Sequence, residues 1–432
     1  MPSSAGTPTG KLPFVVWVLA AGTFLMGTTE SVIAGLLPEI AGDLGVGLSH
    51  AGLLITAFAV GMIVGGPTTA LATLCRPQRL ALVLALSLFA LGHVVAALST
   101  SFTVVLAARV VTALATGAFW AVGFVIATAA AGPARATRAV GVMMGGLTLA
   151  NVVGVPIGSF VGRYTGWRGP FWALAVLAAL AAVCVARFIP ATEQRAELSV
   201  RAEVRALRQG RLWLALAAAV LIMGGVLATY TYITPLLTGR VGIPSGAVPP
   251  VLIVFGLGAL GGTAIGGRLG DRRPMATTIG GRLGDRRPMA TTITAAAVTA
   301  LALFLLIPLS TGPATAVVLV FLMALAGFTV NPVVTSLAVR FAGDAPTLTS
   351  ALSTSAYNTG IAVGSALAGQ ALNASLCLTG PALVGAASAA LTLLPLIALV
   401  LGGTRRQARI APRRTDPARI RDHGTAPVPS GH

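Results

Sequence analysis

LPFVVWVLAAGTFLMGTTESVIAGLL, residues Leu12 to Leu37, holds a single ionisable side chain, Glu30, in a run long enough to cross a bilayer. The rest of the chain repeats the apolar pattern. Of 432 residues, 56% are hydrophobic and only 9% are charged, whereas a soluble domain averages roughly 25% charged. That composition specifies a polytopic membrane protein, and the run at its start is the first span.

Taking about 20 apolar residues per helical span, the sequence predicts twelve spans near 12–37, 51–74, 80–98, 103–130, 139–161, 169–189, 213–237, 247–265, 291–310, 314–338, 348–372 and 381–401. By length the third and ninth are the weakest. A polar stretch at 190–212, rich in Glu and Arg, separates six spans from six. The expected organisation is a tail at 1–11, a first bundle at 12–189, the linker, a second bundle at 213–401 and a basic tail at 402–432 that lacks apolar material to fold around. The fold class is therefore all-α, with twelve membrane helices in two pseudo-symmetric six-helix bundles.

Arginine placement orients the chain, because cytoplasmic loops retain Lys and Arg. With the N-terminus inside, Lys11, Arg76, Arg79, Arg135, Arg138, Arg187, the linker, the 266–290 loop, Arg340 and the tail share one side, leaving Arg163, Arg168 and Arg240 on the other. Both termini are expected to be cytoplasmic, in the cell membrane. This asymmetry accounts for the formal charge of +18. Anionic lipid headgroups, not nucleic acid, are its expected partners.

The halves resemble each other: Gly65, Gly66 and Pro67 close the second span, as Gly266, Gly267 and Arg268 close the eighth. Internal repeats of this sort mark secondary transporters with a midplane site. A different repeat, IGGRLGDRRPMATT, occurs at 265–278 and again at 279–292. Tandem identity of that kind reads as a recent duplication or a sequence error, not as a solenoid, and either way it lengthens a cytoplasmic loop.

Ionisable groups expected within the membrane are Glu30, His93 and Arg109. A carboxyl in hydrocarbon is costly and usually functional, and at roughly 1.5 Å per residue Glu30 and Arg109 both lie about 10 Å below the outer surface. They are candidates for a coupled pair that exchanges a proton for substrate. His93 sits on a span that otherwise reads as packing surface, and a structural role is expected for it. Candidate pocket polars are Asn151, Tyr230, Tyr232, Asn331 and Asn358, each of which serves equally well as a helix–helix hydrogen bond.

Several classes are excluded. Lys11 is the only lysine and no phosphate loop is present, which removes ATP hydrolysis by that route. No cluster of metal ligands occurs in the spans, no H-E-x-x-H or G-x-S-x-G appears, and the three cysteines form no framework. No cofactor, no metal and no enzyme activity are expected.

GTTESVIAGLLPEIA at Gly27–Ala41 resembles the first helix of drug/proton antiporters of the major facilitator superfamily. GGRLGDRRP at Gly266–Pro274 resembles its cytoplasmic loop signature, and NVVGVPIGS at Asn151–Ser159 its antiporter motif in the fifth helix, with Gly154, Pro156 and Gly158. The wording of the first helix, of AGLLITAFAVGM at Ala51–Met62 and of RVVTALATGAFW at Arg109–Trp120 is most similar to actinomycete chloramphenicol resistance exporters.

That resemblance implies proton-coupled export of a small antibiotic, chloramphenicol first, by a monomer working through alternating access. It assigns coupling to Glu30 and Arg109, and gating to Gly267 with Asp271 and Arg272, or with Asp285 and Arg286 in the second copy. Three departures stand out: Cys75 to Arg79 lacks the Asp-Arg pair of the signature, Ala113 replaces a usual Gly, and Val155 precedes Pro156 where many antiporters have Gly. An exporter of sugars or amino acids with this fold is the alternative, followed by a non-transporting sensor or channel.

Overall fold

A computed structural model describes residues 12–73, 77–132, 135–189, 209–271, 286–342, 346–374 and 377–410. Among these the regular structure is helical throughout, as hydrocarbon requires: a helix satisfies its own backbone N–H and C=O groups where water is absent. The first half comprises α1 (Phe14–Asp43), α2 (Leu48–Thr73), α3 (Gln78–Leu98), α4 (Phe102–Ala131), α5 (Ala136–Leu149), α6 (Val155–Thr165) and α7 (Arg168–Phe188). The second comprises α8 (Gly210–Thr231), α9 (Ile233–Gly239), α10 (Val248–Asp271), α11 (Arg286–Leu309), α12 (Pro313–Ala342), α13 (Pro346–Leu372), α14 (Gly380–Leu391) and α15 (Leu393–Ile410).

Eleven of the described segments are long and apolar enough to cross a membrane. The twelfth span is α13, which carries Ser353, Thr354, Ser355, Tyr357, Asn358 and Thr359 in one stretch. It tolerates them because it packs inside the molecule, against α2, α8, α12 and α14. Polarity, not length, thus makes the eleventh span the weakest match to a membrane helix. Lipid-facing positions carry the reverse composition: Leu98, Val183, Leu301, Phe304 and Leu394 are exposed on the outside of the bundle.

Four spans differ from expectation, the first three for a local reason. The first helix runs six residues past Leu37 to Asp43, with Pro38 inside it. Gly45 then ends it in a left-handed turn (φ 63°), with Val46 N–H donating to Ala41 O at 3.0 Å. The seventh span is not continuous: α8 stops at Thr231 and α9 restarts at Ile233. Pro235 has no N–H to give the carbonyl of Thr231 and its ring crowds that turn. In the fifth span, Ala150–Gly154 form a π-helical turn between α5 and α6, with Val155 N–H donating to Ala150 O; Pro156 immediately follows and likewise lacks a donor. The last helix continues past 401 to Ile410.

Within the first half α1 packs on α5 and α6, α2 on α4, and α3 on α4 and α7; in the second, α8 packs on α13, α10 on α12, and α11 on α12 and α14. The pairings correspond element by element, which is the pseudo-symmetry expected of two related bundles. Between the halves, α2 meets α13 and α10 meets the π turn and α6. These bridging contacts cluster at the end of the molecule away from the chain termini. Thr234 Oγ1 of α9 donates to Ala34 O of α1 at 2.7 Å, and Thr56 of α2 bonds Ser365 of α13 at 2.7 Å.

The arginines at that end are absorbed by structure. Arg168 pairs with Asp43 and also donates to Ser99 O at 3.0 Å, while Trp167 Nε1 donates to Asp43 at 2.9 Å. Arg240 bonds Ser310 Oγ at 2.8 Å and Ile307 O at 2.9 Å.

Candidate functional site

Glu30 lies on the wall of a cavity between the two halves. The first half contributes Glu30, Ser31 and Ala34 of α1 with Ile55, Phe58 and Ala59 of α2; the second contributes Leu227, Tyr230 and Thr231 of α8 with Asn358 and Ile361 of α13. Its free volume is only about 10 Å³, room for about one water against the roughly 300–1,000 Å³ of small-molecule sites, so in the state described the two halves have nearly closed on it. Tyr230 is held flat by stacking on Phe255, with ring centroids 4.0 Å apart.

Arg109 stands one layer behind this wall and is 1% exposed. Its guanidinium packs on the ring of Phe58, 4.3 Å from the centroid, so Phe58 separates it from the cavity. Nη1 donates to Thr29 Oγ1 at 3.0 Å and Nε to Leu54 O at 3.5 Å, while the buried Nη2 has no partner. The expected direct Glu30–Arg109 pair is absent: among the described residues the one ion pair is Arg168–Asp43. Successive residues on a helix project about 100° apart. Thr29 therefore faces Arg109 while Glu30 faces the cavity.

His93 completes this layer. Its Nδ1–H donates to Phe89 O at 2.8 Å, which leaves Nε2 to accept from the Thr29 hydroxyl at 2.7 Å. The ring is wedged against Phe89 and Phe171, at centroid distances of 4.2 and 5.5 Å. The chain Arg109, Thr29, His93, Phe89 thus runs through α4, α1 and α3 with every donor directed one way. Thr29 was invisible to sequence reasoning, since threonines are frequent in these spans and most bond their own helix.

Thr29→Val removes the hydroxyl at nearly constant volume and orphans Arg109 Nη1 and His93 Nε2 together. Unmet buried polar groups cost about 1–3 kcal/mol each. The expected result is a lower unfolding temperature for the purified protein, largely restored in Thr29→Ser.

Of the five candidate pocket polars, Tyr230 and Asn358 line the cavity and the other three do not. Tyr232, at the break between α8 and α9, donates to Ser365 O at 3.4 Å and fills the space over Gly52 and Gly369. Asn151 bonds Leu147 O within its own helix at 3.4 Å, inside the π turn. A Cβ on Gly256 of α10 would lie 2.7 Å from Asn151 O, so the glycine is what lets the two halves meet there. Asn331 is half-buried on α12.

The glycines of the fifth-span motif form a packing seam. Gly154, Gly158 and Gly162 receive Thr28, Val32 and Leu36 of α1 at matching four-residue steps, the close approach that small residues allow in lipid. Ser159 adds a hydrogen bond to Gly35 O at 3.3 Å. The seam therefore fixes the rotation of the helix that carries Glu30. Of the gating residues, Gly267 faces open space near the end of α10, Asp271 is the last residue of α10 and Arg286 the first of α11; Arg272 and Asp285 lie outside the described residues.

Residues 19–369 match the family model described as Major Facilitator Superfamily. The chain is 35% identical over 374 residues to a chloramphenicol resistance protein of Streptomyces lividans, covering 86% of this chain and 92% of that one. It is 32% identical over 398 residues to the inner membrane transport protein YdhP of Escherichia coli K12, covering 92% and 97%. In fold it is similar to the crystal structure of a bacterial homologue of the human lysosomal transporter Spinster, with a TM-score of 0.68 at 15% identity over 93% of this chain and 99% of that one. Twelve spans, paired halves and these matches agree, and the chain belongs to the Major Facilitator Superfamily as a multi-pass membrane transporter of small molecules.

Proposed function

We propose that this transporter exports a small, largely uncharged antibiotic, chloramphenicol first, across the cell membrane in exchange for protons. The carrying observation is Glu30 in the wall of a cavity shared by both halves, with a buried cation one layer behind it. The resistance phenotype in the name of the Streptomyces relative supports the substrate. Both termini are assigned to the cytoplasm, so the pinned end of the molecule faces outward.

In this reading a proton on Glu30 and a substrate in the cavity favour opposite states, and only such differential affinity can couple two fluxes. Arg109 tunes the carboxyl. Nη2 is unpartnered while Nη1 is held by Thr29, which leaves one donor free to engage Glu30 when the helices shift. Because Thr29 and Glu30 project about 100° apart and the Phe58 ring lies over the guanidinium, that engagement takes a substantial turn of α1 or a displacement of Phe58.

The test is accumulation of labelled chloramphenicol in cells with and without the chain, repeated with an uncoupler. Lower accumulation that the uncoupler abolishes supports the proposal. Accumulation unaffected by the chain rejects the substrate, and export indifferent to the uncoupler rejects the coupling.

A further inference from the structure

Asn358 is 2% exposed and lies in the cavity wall, midway along α13. Its Nδ2 donates to Thr354 O at 3.0 Å, one turn back on the same helix, while its Oδ1 is buried with no partner. Turning the amide over would set Oδ1 against the carbonyl oxygen of Thr354, so the group left over is the acceptor. Buried amide oxygens are nearly always satisfied in folded proteins, and an exception calls for an explanation.

The remaining lining points the same way. Thr231 spends its hydroxyl proton on Leu227 O at 2.7 Å. Glu30 brings carboxyl oxygens, and no basic side chain is among the residues lining the cavity. Arg109, the nearest cation, is directed to Thr29 and screened by Phe58. Ser31 and Tyr230 add hydroxyls, but the cavity keeps an unmet acceptor in Asn358 Oδ1 and has no cationic donor to offer an anion. Around them Phe58, Ile55, Leu227, Ile361 and the stacked Tyr230 supply apolar surface.

We infer that this cavity, when the halves part and widen it, selects neutral amphiphiles that combine an apolar ring with a primary hydroxyl donor, and that Asn358 Oδ1 is the specificity-determining acceptor for that hydroxyl. The inference rests on the proposed export of phenicols through this cavity and adds which feature of the molecule is read. A site that presents a buried acceptor penalises an analogue lacking the donor more strongly than an apolar pocket penalises a change of size. Asn358 acts here by touching substrate.

The experiment uses the full chain in lipid nanodiscs and two probes, thiamphenicol and florfenicol, which differ by fluorine in place of the primary hydroxyl. The native protein is expected to bind thiamphenicol about tenfold more tightly. Asn358→Leu should erase that preference by weakening thiamphenicol alone, and florfenicol binding by the same variant reports that it is folded. Asn358→Asp, which keeps an oxygen acceptor, should retain the preference and provides the reading if the leucine variant does not fold. Equal affinity of the native chain for both probes, or parallel loss of both in a folded Asn358→Leu, overturns the inference while phenicol export stands. Binding of neither probe by the native chain overturns the phenicol reading itself, and the assignment of Asn358 with it.

Discussion

Glu30→Gln is expected to abolish proton-driven export while leaving the protein folded. Glutamine keeps the shape and the hydrogen-bonding capacity of a protonated carboxyl but cannot release a proton. Glu30 makes its contacts at a cavity wall, without an ion pair among the described residues, so neutralising it breaks no buried bridge, the usual route to large destabilisation. Vesicle flux against a gradient should fall to background, on the order of a hundredfold, as for residues that act only in the driven step. Substrate-dependent proton release should vanish with it. A neutral substrate should still bind, because the amide retains polar atoms for it. Unfolding temperature and detergent elution matching the native chain would exclude a folding defect. Export and proton release that both survive the substitution would refute the assignment of coupling to Glu30.

A disulfide between Thr56→Cys and Ser365→Cys should stop transport outright, and reduction should restore it. The two hydroxyls are 2.7 Å apart across the interface of α2 and α13, which places their side chains within the narrow reach a disulfide needs. Alternating access requires these helices to separate at this end when the other end closes. A covalent bond here holds the molecule in the state described, with its termini-distal end shut. The measurement is flux in a background lacking Cys75, Cys184 and Cys377, with the cross-link scored by mass shift under oxidising and reducing conditions. Full transport by the quantitatively cross-linked protein would show that α2 and α13 do not part.

Much of this architecture was legible in the chain itself. Twelve helices follow from apolar runs because hydrocarbon forbids an unpaired backbone, and the exceptional status of Glu30 and Arg109 follows from the cost of charge in the same medium. The glycine seam was readable as tight packing, though its partners, Thr28, Val32 and Leu36, were not. Misplaced boundaries were local failures. Glu39 lies two residues beyond the expected end of the first span at Leu37, yet within α1, with Oε2 buried and unpartnered.

Composition and order along the chain determined that the protein spans a membrane, that it is built from two related halves, and that a carboxyl and a guanidinium lie within it. Each of these depends on the solvent and on spacing along one strand of sequence, which local chemistry is enough to decide. Tertiary structure alone decided which groups meet. Glu30 and Arg109 sit at similar depth, yet the angle between neighbouring side chains on α1 hands the guanidinium to Thr29 and turns the carboxyl toward Tyr230 and Asn358 of the other half. Helix rotation is set by packing against α5 and α6, contacts far apart in sequence, and no spacing along the chain reveals it.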